Sequence, residues 1–144
     1  MMINDIYIEA FRNVIHETER VTGYTVPEPV KTYVVMLLSS YMDRTNFMPN
    51  RAFIEELLSL YSHRKAKELG DTCLFLTGVF PEYGKRYGID KNYYMGIGME
   101  SYNIASRQLN DQLLKMLSDN FSYLQRFIEI STKPNILREI SICR

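Results

Sequence analysis

The sequence contains no tryptophan, and it has only two cysteines and two histidines in 144 residues. Cys73 and Cys143 are too few for a disulfide framework and have no metal-site spacing, which favours a reducing cytoplasm. His16 and His63 have no Glu-x-x-His or cysteine partner at ligand spacing. We therefore expect no bound metal, and no motif indicates another cofactor.

Net charge and long hydrophobic runs are also absent. Seventeen basic residues face seventeen acidic ones, so no overall field attracts nucleic acid phosphates or anionic lipid. The longest strongly apolar runs, such as 33–38 and 73–76, fall far short of the roughly 20 residues of a membrane span. The first residues also lack the basic and apolar regions of a secretory signal. The sequence thus predicts a soluble cytoplasmic protein with no nucleic-acid partner and no membrane span.

Apolar residues recur at helical spacing along most of the chain, and no stretch alternates as a strand would. The predicted helices cover about 3–22, 29–42, 50–67, 90–108 and 113–128, with a short one after Pro134. The segment 69–80 is apolar on nearly all sides, which is typical of a central helix. It either continues the preceding helix or begins after a bend at Gly70. We predict a compact all-α bundle of five to seven helices around this central apolar helix, forming one domain over residues 1–144.

Several helix ends carry local signals. Gly23 is predicted to end the first helix. Asp90 is predicted to cap the helix over 90–108, and Asn110 or Asp111 the helix over 113–128. Within 90–108, Gly98, Ser101 and Ala105 form a strip of small residues where helices can approach closely. That close approach would account for both Gly96 and Gly98, because the segment has no phosphate-loop pattern.

Asp71 is the polar residue that fits its surroundings least, since it lies between Leu69 and the apolar run 73–76. A buried carboxylate has to be paired or protonated. The candidate partners by residue type are Arg64, Lys67, Arg86 and Arg107, with hydroxyl donors from Tyr94 and Tyr102.

Two interpretations of Asp71 follow. In the favoured one, the carboxylate forms a structural ion pair between helices, so that Asp71→Asn lowers the unfolding temperature by several degrees. In the other, it belongs to a tyrosine-lined ligand pocket, with Asp71 or Glu82 as a general acid or base. The ligand-binding candidates are Asp71, Glu82, Tyr94, Glu100, Tyr102 and Arg107, and no residue is assigned a catalytic role.

The residues LGDTCLFLTGVFPE, Leu69–Glu82, and DKNYYMGIGMESY, Asp90–Tyr102, resemble a segment of a family of uncharacterised bacterial helical proteins. The resemblance implies a bacterial origin and a coherent single domain. It implies no activity.

Wide apolar stripes on several helices present more hydrophobic surface than a small core easily absorbs. We therefore expect a helical interaction or regulatory module without catalytic activity, which forms a homodimer and is open to a further protein partner. The alternative is a small-molecule-binding protein or enzyme that uses the pocket around Asp71.

Overall fold

The computed structural model of the protein describes residues 2–43 and 63–133. Six α-helices and one 3-10 helix account for nearly all of them, and no strand occurs in these two ranges. They are α1 (Met2–Thr22), α2 (Glu28–Asp43), α3 (His63–Val79), the 3-10 helix (Tyr83–Tyr87), α4 (Lys91–Leu109), α5 (Gln112–Asp119) and α6 (Phe121–Ser131). The predicted all-α bundle and its helix count are confirmed. Residues 63–67 of the helix predicted over 50–67 belong to α3. The rest of that prediction, and the helix predicted after Pro134, lie outside the described ranges.

Helix α3 is the central element, and it packs against α4, α6 and α2. Residues 72–78 are all buried, because this helix has neighbours on several sides. Its two threonines keep their hydroxyls paired: Thr77 donates to the Cys73 carbonyl at 2.7 Å, and Thr72 shares a hydrogen bond of 2.9 Å with the Tyr41 hydroxyl. The helix runs without interruption through Gly70, so the alternative of a new helix that begins there is wrong.

Glycines allow α3 and α4 to approach closely. A Cβ atom on Gly98 of α4 would lie 2.9 Å from the Cys73 Cβ and 2.5 Å from the Phe121 ring, and one on Gly70 of α3 would lie 2.7 Å from the Tyr102 ring. The close approach predicted at Gly98 is therefore confirmed. The same explanation is wrong for Gly96, which is exposed and has open space where a Cβ would be.

The predicted helix ends are confirmed where a local signal marks them. Gly23 follows α1 with a positive φ of 77°, and Asn110 follows α4 with a φ of 52°. The Asp90 carboxylate accepts from the Asn92 backbone N–H at 2.8 Å, and Asp111 accepts from that of Leu113 at 2.9 Å. These caps satisfy backbone groups that the helices leave free.

The single long helix predicted over 113–128 is wrong, because α5 ends at Asp119 and α6 begins at Phe121. Asn120 separates them with φ −112° and ψ 20°, and its side-chain amide donates to the Met116 carbonyl at 2.8 Å. The same Met116 carbonyl also accepts from the Asn120 backbone N–H at 3.0 Å, so Asn120 closes the last turn of α5 with both its backbone and its side chain. Ser118 also donates to the Met99 carbonyl at 2.8 Å, which fixes the end of α5 against α4.

Candidate functional site

Three helices meet at the Asp71 carboxylate. Its Oδ1 atom accepts hydrogen bonds from the Tyr33 hydroxyl of α2 at 2.7 Å and from the Tyr102 hydroxyl of α4 at 2.6 Å. Its Oδ2 atom lies 3.6 Å from the Lys67 ammonium, one turn earlier on α3. We call these four residues the Asp71 cluster. The Asp71 side chain thereby links α3 to both α2 and α4.

Burial dominates the electrostatics of this cluster. It raises the pKa of the Asp71 carboxyl, while the hydrogen bonds from Tyr102 and Tyr33 and the charge of Lys67 act in the opposite direction. Burial also raises the pKa of Tyr102 well above its ordinary value, and the pKa of Tyr33 rises for the same reason. Both phenols therefore remain hydrogen-bond donors at physiological pH.

Lys67 is the weakest member of the cluster. Its side chain is 42% exposed, and its ammonium lies 5.3 Å from the centre of the Tyr33 ring. Partly solvated ion pairs and cation–π contacts of this kind contribute little to stability. The main partners of Asp71 are consequently the two phenols.

The structure brings together only two of the six predicted site residues, Asp71 and Tyr102. Glu82 lies on the surface and pairs with Lys85, and Glu100 and Arg107 are exposed on α4. Tyr94 is buried in a separate small cluster with Leu76, packed against Tyr83 and Ile89. Of the predicted cationic partners, Lys67 is found beside Asp71, and the side chains of Arg64 and Arg86 lie outside the description.

Tyr33 is the member of the cluster that the sequence analysis missed. It belongs to the apolar stripe of α2, where a tyrosine is expected to pack in the core. Its contact with Asp71 spans 38 positions of the chain. No local pattern marks such a pair, and only the unusual apolar setting of Asp71 indicated that a donor was needed.

A surface cavity of about 390 Å³ lies elsewhere, around the 3-10 helix. Of the six predicted site residues, only Glu82 lines it. Its charged groups have partners within the chain: Lys85 pairs with Glu82, Lys91 lies 3.1 Å from Glu129, and Asp90 accepts from the Asn92 backbone N–H. The cavity is lined by Pro81, Glu82, Lys85, Gly88, Ile89, Asp90 and Lys91.

The described ranges contain one free cysteine and no cluster of metal-ligating side chains. Within residues 2–43 and 63–133, no group of three or more histidine, cysteine, aspartate or glutamate side chains is placed to hold a metal ion. The Cys73 thiol is buried, and this burial raises its pKa to about 12, so it stays protonated. None of the helices that the structure describes has the length and apolar character needed to cross a bilayer.

Comparison with protein-family models, curated proteins and solved structures finds no match for this chain.

Proposed function

We propose that this protein is a helical interaction module that acts by associating with a second copy of itself and performs no chemistry at Asp71. The observation that supports self-association is the number of large apolar side chains left in solvent among the described residues. Nine of them are exposed, among them Val21, Tyr24, Tyr93 and Tyr123. Tyrosines are over-represented among the residues that dominate protein–protein binding energy.

The Asp71 cluster supports the second part of the proposal. The Asp71 carboxylate already accepts hydrogen bonds from two buried or half-buried phenols of its own chain. A general acid or base needs to reach a proton on a substrate. The Tyr33 and Tyr102 hydroxyls occupy the positions around Oδ1 that a substrate would need. This arrangement therefore suits a structural link between helices better than a catalytic acid or base.

The oligomeric state tests the proposal directly. Size-exclusion chromatography with light scattering at high micromolar concentration should give a mass near 34 kDa, twice the 17.0 kDa of one chain. Association should persist at elevated salt, because apolar contacts are screened much less than surface charges. A monomer of 17.0 kDa under these conditions would contradict the proposal.

The second candidate function is binding of a small molecule, and the cavity around the 3-10 helix favours it. Its volume of about 390 Å³ falls within the range of roughly 300 to 1,000 Å³ that ligand sites occupy. This site is distinct from the predicted pocket around Asp71, because Asp71 does not line it.

Native mass spectrometry of the purified protein separates the two candidates. Under the interaction proposal, each chain should have the mass of its sequence with no added small molecule. A stoichiometric extra mass that is lost in Ile89→Arg, which places a long charged side chain in this cavity, would favour the binding function instead. Leu109→Arg, at an exposed apolar position at the end of α4, is the matched control and should retain that mass.

A further inference from the structure

The described helices pack in two groups. Helices α1 and α2 pack mainly against each other, and α3, α4, α5 and α6 pack mainly among themselves. Residues 44–62 separate the two groups along the chain, so each group is one continuous stretch of sequence. We call residues 2–43 the α1–α2 hairpin, residues 63–133 the body, and the contact between them the seam.

Glycines bring helix backbones close together within the body. Besides the contacts of Gly70 and Gly98 described above, a Cβ atom on Gly78 of α3 would lie 2.6 Å from the Ile128 side chain of α6. Neither α1 nor α2 contains a glycine. Side chains therefore hold the backbone of the hairpin further from the body than the body helices lie from one another.

Tyrosine hydroxyls of α2 bridge one part of the seam. Tyr33 donates to Asp71, and Tyr41 shares its hydrogen bond with Thr72. Water can replace such bonds when two elements separate, so the net contribution of each to stability is modest. Asp71 would also keep its hydrogen bond to Tyr102, because both residues belong to the body.

Hydroxyl groups also connect the hairpin to α6. The Ser131 hydroxyl donates to the Thr18 hydroxyl at 2.7 Å, and the Tyr123 hydroxyl donates to the Thr25 carbonyl at 2.9 Å. Beside them lies a narrow apolar gap, where unfilled space forfeits dispersion contacts. The gap is lined by Ile15, Val26, Lys31 and Val34 of the hairpin and by Leu124, Phe127 and Ile128 of α6.

We propose that the α1–α2 hairpin opens from the body as one unit while the body stays folded. The hairpin contributes side chains to the common apolar core, so the open form is a minor population. Two helices released from a core lose most of their stabilisation and unfold. Opening therefore exposes the backbone amides of α1 and α2 to solvent together. The inference goes beyond the proposed function and does not depend on it, because the seam lies within one chain.

Hydrogen exchange of single amides, measured by NMR at increasing urea concentrations, tests the inference. The slowest amides of α1 and α2 should be at least about tenfold less protected than the slowest amides of α3 and α4, and their exchange should depend less steeply on urea. Tyr41→Phe removes one bond of the seam and retains the ring that stacks on Phe75. It should speed the exchange of α1 and α2 roughly fivefold.

Gly98→Ala is the matched control, because its new methyl group would meet only Cys73 and Phe121 of the body among its three nearest contacts. It should speed the exchange of α3 and α4 and leave that of α1 and α2 unchanged. Gly78→Ala, between α3 and α6, takes its place if Gly98→Ala does not fold.

Three results would overturn the inference. Equal protection of the slowest amides in α1, α2, α3 and α4 would show that the helices unfold as one cooperative unit. The same conclusion follows if the body variant speeds exchange in α1 and α2 as much as in α3. If Tyr41→Phe leaves the exchange of α1 and α2 unchanged, these helices do not open at the seam.

Discussion

Gly98→Ala should destabilise the protein, whereas Gly96→Ala, two residues earlier on the same helix, should stabilise it. At Gly98 the new methyl group would lie 2.9 Å from the Cys73 Cβ and 2.5 Å from the Phe121 ring. The Cys73 Cβ is attached directly to the backbone of α3, and the Phe121 side chain is fully buried, so neither can move aside easily. Overpacking of this kind costs about 1 to 3 kcal/mol, and it opposes the gain in helix propensity.

Gly96 provides the control for this experiment, because a Cβ there would meet nothing within 4 Å. Alanine should therefore gain most of the helix-propensity difference of about 1 kcal/mol. Thermal unfolding followed by circular dichroism measures both variants, at roughly 2 to 4 °C per kcal/mol for a chain of about this size. Equal midpoints for the two variants would show that α3 and α4 do not pack closely at Gly98.

The second large effect is expected at Asp71, where alanine and asparagine should differ sharply. Asp71→Ala leaves the buried Tyr102 hydroxyl without its acceptor, and such an unpaired group costs about 1 to 3 kcal/mol before any loss at Tyr33. Asp71→Asn keeps an Oδ1 atom that can accept from both phenols. Its amide would meet the Lys67 ammonium, but that side chain is 42% exposed and can turn towards water. We therefore expect the asparagine variant to lose about 1 kcal/mol or less, a smaller effect than loss of a buried ion pair would give.

The pH dependence of unfolding tests the same cluster. Because burial raises the pKa of Asp71 in the folded protein, its contribution to stability is complete below the unfolded pKa of about 3.9 and is lost as pH rises through the folded pKa. Asparagine does not titrate, so Asp71→Asn loses no stability in this way. Its free energy of unfolding relative to the parent should therefore increase as pH rises from the unfolded pKa to the folded pKa of Asp71. Urea unfolding of both proteins from acid to neutral pH measures the difference. A parent that instead gains stability relative to the asparagine variant over this interval would show that hydrogen bonds and Lys67 outweigh burial.

The features that could be predicted from the sequence depend on neighbours along the chain. The caps at Asp90 and Asp111 were predictable because each carboxylate bonds a backbone N–H two residues ahead. The break at Asn120 was not, because the apolar periodicity passes through it without interruption and the side-chain bond to Met116 has no distinctive pattern. Gly98 shares the strip of small residues with Ser101 and Ala105 and Gly96 does not, yet one explanation was given for both glycines. The packing of α3 and α6 against Gly98 alone separates them.

The candidate site was likewise predictable only where neighbouring residues in the chain gave a signal. The apolar run beside Asp71 indicated that its carboxylate needed partners, and Lys67 and Tyr102 were among those considered. Glu82, Glu100 and Arg107 were included by residue type alone, and the fold places them at the surface. The positions of Glu100 and Arg107 depend on how α4 is rotated against α3, which no short-range pattern determines.

The Asp71 cluster also limits how the three helices can slide past one another. A helix packed only through apolar side chains can shift by one turn, about 5.4 Å, and still bury much of its stripe. Here such a shift of α2 or α4 would carry the Tyr33 or Tyr102 hydroxyl out of reach of the one oxygen atom that both now share. A displaced Tyr102 would leave its hydroxyl buried without an acceptor. The free-energy penalty therefore falls on the shifted arrangements, and a single carboxylate helps to select one alignment of α2, α3 and α4.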